Sequence, residues 1–491
     1  MSMILSPSGV LVSQVTQTLT EGDRRGFRSA VLELVAIDAD LGRSWRSLTT
    51  PLLDYGEFDL ATAAIDRYVA WSGNRSAAMF DQATVYARSG RHARARALLE
   101  CVDPGTPDRV AHAFLRGTLA LDLGDFAAAR ALLLQVLAIR PLSGQAAYAL
   151  AASALMATDN EVADRILAGE PRLDDAPRAE RAMYLYALGK VSADRGEIDR
   201  AFDHYARGAA IVAASRAADP ASDRAGALQA IEGWNASALA AVSARITVPT
   251  GRPIVVTGLP RSGTTLVEQV FASHSAVGEG DELGYFAMLV NEIGGPMAGR
   301  ARRLAERARP NEVVGDYLHL LDNRFGRDGR VVDKTLEATR YLGTFAALLP
   351  DAPILYVRRR PLARAWSCFS TYFMTGLGWT FDQRAIAAHF RIEEALLERW
   401  HSILGDRLMI VDYETLVSDK ETEIPRLLGH AGLVVEPQTL TPETAARLVR
   451  TASVAQVRAP IGTGRVDAVE AYRQHLQPFI EAYTAAGGTI D

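Results

Sequence analysis

Three glycines set 34 residues apart, at 56, 90 and 124, constrain this chain more than any other feature. Each opens the same ten-residue pattern: Gly56-Glu-Phe-Asp-Leu-Ala-Thr-Ala-Ala-Ile65, Gly90-Arg-His-Ala-Arg-Ala-Arg-Ala-Leu-Leu99 and Gly124-Asp-Phe-Ala-Ala-Ala-Arg-Ala-Leu-Leu133. Weaker copies begin at Gly22, Asn160 and Gly196. Residues 20–215 carry Ala and Leu at a helical period with almost no strand signal. A recurring Gly closes one helix, and the small residues after it let the next helix pack close. One such unit cannot bury its apolar face alone, so the pattern predicts a stacked array of helices over this half.

The 34-residue period resembles tetratricopeptide repeats, and the resemblance implies a concave face of the kind that holds a peptide or a partner protein. Pro141 falls where the second helix of the third copy should stop. Residues 216–248, rich in Ala, Asp and Ser and running into Pro249 and Pro253, read as a linker. The expected organisation is a helical repeat domain over 1–215, a linker over 216–248 and a second domain over 249–491.

In that second domain four short apolar runs stand out: Ile254-Val-Val-Thr-Gly258, Arg330-Val-Val-Asp333, Ile354-Leu-Tyr-Val357 and Leu408-Met-Ile-Val411. Helical patterns separate them, which predicts an α/β fold with a mostly parallel sheet. Ligands of such sheets bind beyond the carboxyl ends of the strands. Each run is followed there by polar or cationic residues. The first leads into Leu259-Pro-Arg-Ser-Gly-Thr-Thr265, the second into Lys334, the third into Arg358-Arg-Arg360, and the fourth into Asp412-Tyr413-Glu414. This is the rim of an anion site.

Gly258 and Gly263 have the spacing of a phosphate-binding loop between a strand and a helix. The backbone N–H groups of such a loop, with the helix N-terminus, cradle a phosphate. Thr264 follows Gly263, where a nucleotide triphosphatase needs Lys for the β- and γ-phosphates. The loop therefore suits a 5′-phosphate better than a triphosphate, which counts against a nucleotide kinase.

Here the residues reach a family. Gly258-Leu-Pro-Arg-Ser-Gly-Thr-Thr-Leu266 resembles the 5′-phosphosulfate loop of sulfotransferases that use 3′-phosphoadenosine-5′-phosphosulfate (PAPS). Arg359 and Ser367 match the Arg and Ser, eight residues apart, that bind the 3′-phosphate in that family. Gly280-Asp-Glu282 resembles the Gly-Glu-Glu of tyrosylprotein sulfotransferases, and Glu282 follows Arg261 by 21 residues, as the family's base follows its loop Arg. Asp333-Lys334 looks like the step carrying the catalytic Lys. Tyr413-Glu-Thr-Leu-Val417 resembles a segment near the adenosine, and Ser453-Val-Ala-Gln-Val457 one that closes over the nucleotide. The resemblance covers about residues 250–480 and implies a P-loop-like sulfotransferase domain. Tetratricopeptide repeats ahead of such a domain are a familiar bacterial arrangement. Two departures stand out: Arg360 replaces the Asp of the family's Arg-Asp-Pro, and Ala468-Val469 align where a Lys or Arg followed by Trp is usual. Arg465 and Arg473 are the candidates to replace that contact.

The resemblance implies Pro260, Arg261, Ser262, Gly263, Thr264, Thr265, Arg359, Ser367, Tyr413, Ser453, Gln456 and Val457 as the PAPS-binding set. It implies Glu282, Lys334, Arg261 and Ser453 as the catalytic set. Sulfuryl transfer to a hydroxyl asks for a general base, here Glu282, and for fixed cations on the leaving phosphate, here Lys334 and Arg261. Lys334 draws notice because Lys190, Lys334 and Lys420 are the only lysines among 53 basic residues. No metal is required by this scheme.

The expected acceptor is a peptide or protein tyrosine held on the repeats. A small-molecule or carbohydrate acceptor, and a catalytically weakened nucleotide-binding adaptor, are the alternatives. A net charge of −5 argues against a nucleic-acid partner. No uninterrupted apolar run reaches the roughly 18 residues of a membrane span. Cys101 and Cys368 cannot make a disulfide framework, and no charged start precedes the first apolar stretch, so a cytoplasmic location is expected. Whether the chain dimerises is left open.

Overall fold

The computed structural model describes residues 7–153, 156–307, 309–442 and 467–490. Helix pairs fill the first half: Ser44–Asp54 with Phe58–Trp71, Arg75–Arg88 with His92–Glu100, Arg109–Asp122 with Phe126–Ile139, and Arg178–Asp194 with Ile198–Ala213. Gly56, Gly90, Gly124 and Gly196 sit in the turn inside each pair, with φ of 76°, 79°, 76° and 76°. That left-handed conformation is closed to most side chains, which is why Gly recurs at this one position of the repeat.

The chain forms two compact units: Met1–Gln135 with His319–Gly326, and Val136–Leu318 with Arg327–Asp491. The division does not fall at residue 215. Within the second unit the helices Arg178–Asp194 and Ile198–Ala213 share one core with the elements that follow the sheet strands. Met183, Tyr186, Tyr205 and Val212 are buried in the same cluster as Leu362, Phe369, Tyr372, Phe381 and Phe479. Tyr186 stacks edge-on against Tyr372 at 5.5 Å, and Tyr205 against Trp366 at 5.6 Å.

Nor is 216–248 a linker. Asp219 caps the helix Pro220–Ile231 by accepting from the backbone N–H groups of Ala221 and Ser222, and Asn235 caps Ala236–Ser243. Composition suggested a loop, but these Asp-Pro and Asn capping signals decide the local structure. Trp234 between the two helices is buried and donates its indole N–H to the Pro296 carbonyl at 2.8 Å.

Five parallel strands make the sheet: β1 (Pro253–Thr257), β2 (Val277–Asp281), β3 (Arg330–Asp333), β4 (Ile354–Arg358) and β5 (Leu408–Asp412). Their order is β2-β3-β1-β4-β5. Four of these were expected. The edge strand β2 is not among the four apolar runs, because Val-Gly-Glu-Gly-Asp offers a single apolar side chain and two glycines. All five carboxyl ends lie on one edge, so the loop after β1, Glu282, Lys334, Arg359 and Tyr413 share a rim.

A buried ionic network fastens the helix Pro220–Ile231 behind that rim. Asp223 accepts from Arg340 at 2.8 Å and from His389 Nδ1 at 2.7 Å, while His389 Nε2 meets Glu337 at 3.1 Å. Burial disfavours the charged ring, but its hydrogen bonds to Asp223 and Glu337 outweigh that and hold its pKa at about 9. A folded-state pKa above the unfolded value near 6.5 adds stability that is full below pH ~6.5 and gone above pH ~9, on the order of 3 kcal/mol. The melting temperature should therefore fall between pH 6.5 and 9. In a His389→Gln variant that slope should be much reduced; an equal slope would show that another group titrates.

Candidate active site

The loop after β1 is shaped by close backbone approach. A side chain at Gly258 would put its Cβ 2.4 Å from the Val357 carbonyl oxygen, and one at Gly263 would put it 2.3 Å from Tyr413 Cδ2. Arg261 takes a left-handed φ of 67°, rare for a residue with a side chain and the kind of strain that collects at functional sites. Thr264 and Thr265 open the helix Thr264–Ala272 and are both buried. Its N-terminal N–H groups have no intrahelical acceptor, as at any helix start.

Two groups from β4 and its following helix Pro361–Phe369 close on this loop. Arg261 donates its Nε–H to Ser367 Oγ at 2.8 Å, and Arg359 donates Nη1–H to the Arg261 carbonyl at 3.2 Å. The Arg359 guanidinium also lies 4.9 Å above the Tyr413 ring. Of the three arginines at 358–360, only Arg359 turns to the loop. Arg358 pairs with Asp412, and Arg360 is exposed with its backbone N–H on Glu414. The Pro260 carbonyl accepts from the buried Cys368 thiol at 3.4 Å, and burial pushes that thiol up to about 12, which keeps it an inert packing group.

Two polar atoms in this cradle are buried without a hydrogen-bond partner among the described residues: Ser262 Oγ and Arg359 Nε. Native structures leave few such groups, and each is costly unless something completes it. An anion with several acceptor oxygens would.

On the other side of the loop helix stands Lys334, fully buried at the end of β3. Its Nζ is 2.8 Å from Glu268 Oε2, 3.3 Å from Glu282 Oε1 and 3.5 Å from Thr265 Oγ1. The approach to Glu268 is close but not aligned as a hydrogen bond. The Glu282 side chain is 47% exposed, against 14% for Glu268. Burial pushes the Glu268 carboxyl above its ordinary range, and the ammonium of Lys334 opposes that. Asp333, the residue before Lys334, is buried. Tyr317 and Thr335 donate to it at 2.6 and 2.5 Å, and burial raises its pKa to about 6 against those hydrogen bonds.

The structure thus brings Pro260 to Thr265, Arg359, Ser367 and Tyr413 together, with Lys334 and Glu282 beside them. Ser453, Gln456, Val457 and Arg465 lie outside the described residues. Arg473, the other candidate for the C-terminal contact, is bound to Glu470 at 3.3 Å, and Ala468 is exposed. Glu268, Tyr317 and Thr335 went unnoticed in the sequence. Glu268 had a signal: it is the one charged residue of the helix Thr264–Ala272, three residues after Thr265 and so on the same face.

Among the described residues no group of three or more His, Cys, Asp and Glu is placed to hold a metal, and no helix is long and apolar enough to cross a membrane. His274 follows the loop helix, with Nε2 3.0 Å from the Val434 carbonyl.

Residues 253–437 match the family model described as "Sulfotransferase family". An uncharacterized protein of Aquifex aeolicus (strain VF5) is 29% identical over 319 residues, which cover 62% of this chain and 42% of that protein. The chain therefore spans less than half the length of this relative. Among solved structures, the sulfotransferase domain of the Synechococcus olefin synthase aligns with 16% identity and a TM-score of 0.36, over 50% of this chain and 98% of that one. A sulfotransferase of Mycobacterium tuberculosis aligns with 16% identity and a TM-score of 0.28, over 60% and 98%.

Proposed function

We propose that the chain is a sulfotransferase that moves the sulfuryl group of PAPS to a hydroxyl acceptor at the carboxyl rim of the sheet. The observation that carries this is the cradle of Gly258–Thr265, Arg359 and Ser367, with its two unsatisfied buried polar atoms, standing beside a buried Lys334. The family match over 253–437 supports it.

PAPS is a substrate in this scheme. Its 5′-phosphosulfate would sit on the loop, and its 3′-phosphate between Arg359 and Ser367. Sulfuryl transfer needs an acceptor held in line and charge stabilised on the leaving phosphate, with little covalent work for the protein. Lys334 and Arg261 supply the cations. A compact ammonium suits a single bridging oxygen better than a planar guanidinium does. Glu282, half exposed and 3.3 Å from Lys334, takes the proton from the attacking hydroxyl. The Ser453, Gln456 and Val457 contacts remain part of the proposal.

For the acceptor we propose a peptide tyrosine, on the likeness of Gly280-Asp-Glu282 to the tyrosylprotein enzymes and on the helical hairpins of residues 44–139, a scaffold suited to extended peptides. Rates on a tyrosine peptide, a small phenol and a sugar alcohol compare the three classes.

Calorimetric titration with 3′-phosphoadenosine-5′-phosphate (PAP), PAPS and ATP tests the nucleotide assignment. PAP and PAPS should bind and ATP should bind far more weakly; preference for ATP would favour a kinase. Arg359→Ala and Ser367→Ala should weaken PAP by about 1.5–3 kcal/mol, the value of a charge-assisted contact. An analogue without the 3′-phosphate should weaken much less. Equal losses for both ligands would place the 3′-phosphate elsewhere.

A further inference from the structure

Lys334 lies between two carboxylates, and they are not equivalent. Glu282 follows the edge strand β2 and is 47% exposed. Glu268 rises from the helix Thr264–Ala272 into the space between β2 and β3 and is 14% exposed. That space exists because position 280 has no side chain: a Cβ on Gly280 would fall 2.7 Å from Glu268 Oε1 and 2.9 Å from Val332 Cβ. The sequence thus spends a strand glycine to admit one carboxylate beside one lysine. Thr265, one turn before Glu268 on the same helix face, completes the enclosure, with its hydroxyl 3.5 Å from Nζ.

We propose that Glu268 is a positioning residue, whose enclosed carboxylate fixes the Lys334 ammonium at the loop so that the exposed Glu282 is free to serve the acceptor. This rests on the sulfuryl-transfer function proposed above. A buried ammonium needs a close counter-charge to stay charged and in place. With Glu268 alone in that task, Glu282 can give up its own contact with Lys334 when an acceptor arrives. Among the described residues, the charged groups that act most strongly on Glu268 are Lys334, which favours its carboxylate, and Asp281 and Glu282, which oppose it. With Asp281 counted, three carboxylates and one ammonium leave the cluster with an excess of two negative charges, which an anionic donor must meet. Removing the Glu268 charge should therefore not weaken nucleotide binding.

The test uses the full chain with Glu268→Gln, Glu268→Asp and Glu282→Gln. In Glu268→Gln, PAP should bind at least as tightly as in the parent, while kcat falls about 100-fold, the usual effect of a catalytic group displaced by an ångström. The KM for PAPS should not rise, and Glu268→Asp should recover part of the rate. Nitrogen-15 labelling of the three lysines, at 190, 334 and 420, gives a readout that needs no turnover. A slowly exchanging Lys334 ammonium signal should appear in the parent and in Glu282→Gln and vanish in Glu268→Gln. A kcat for Glu268→Gln within about threefold of the parent would overturn the assignment, as would joint loss of PAP binding and turnover, or persistence of the ammonium signal. A parent that binds no PAP would overturn the proposed function, while the ammonium signal would still decide what holds Lys334.

Discussion

Replacing Glu282 with Gln should lower turnover by about 10²–10⁴, the range for loss of a positioned general base. PAP affinity should stay near that of the parent. The isostere keeps the shape of a side chain that is 47% exposed, so the fold has little to lose. Its contact with Lys334 at 3.3 Å places the carboxylate beside the cation that would steady the leaving phosphate. An acceptor hydroxyl reaching that phosphate would find no other described carboxylate so exposed at Lys334. Single-turnover rates with PAPS, alongside PAP titration, make the check. A variant with normal turnover would remove Glu282 from the chemistry, and one that also lost PAP would make it a binding residue.

A chain beginning at residue 249 should fail to fold. The repeat helices 178–213 do not stand apart from the sheet of their own unit: Met183, Tyr186, Tyr205 and Val212 lie within the cluster that buries Phe369, Tyr372 and Phe381. Burying each large apolar side chain is worth about 1.5–3 kcal/mol, so losing four forfeits roughly 6–12 kcal/mol. That is comparable with the whole stability of a typical domain, about 5–15 kcal/mol. Truncation also removes Asp223 from His389 and Arg340, leaving buried charges short of a partner. The truncated chain should show no cooperative thermal transition. A melting temperature within a few degrees of the full chain would mean that the shared core is dispensable.

The same core shows what the sequence could and could not convey. The glycine spacing at 56, 90 and 124 foretold the helix pairs, because a left-handed turn leaves a mark at one position that other residues rarely meet. It did not foretell where packing divides the chain. Tyr186 and Tyr205 look like any apolar positions of a repeat, and nothing local records that their partners, Tyr372 and Trp366, lie far along the chain. Strands β1, β3, β4 and β5 were legible as runs of Val, Ile and Leu flanked by turns. The edge strand β2 has too little apolar character to stand out, yet it carries Glu282.

Within the site, residues on strand ends and in the loop could be read directly, since their place follows from the parallel sheet. Arg261, Arg359 and Ser367 were legible in this way, and their mutual hydrogen bonds follow from β1 and β4 being neighbours. Glu268 was not. A single acid on a helix is most often solvated, and only the glycine opposite it reveals that this one is enclosed.

Transfer of a radiolabelled sulfuryl group from PAPS to a tyrosine peptide, by the full chain and by Lys334→Met, tests the central claim most directly. Label should reach the hydroxyl with the parent. The rate should drop by about 10²–10³ without Lys334, the scale for one lost group that stabilises transition-state charge. A parent that binds PAPS yet labels no peptide, phenol or sugar hydroxyl would contradict the account, as would a Lys334→Met variant that transfers at the parent's rate.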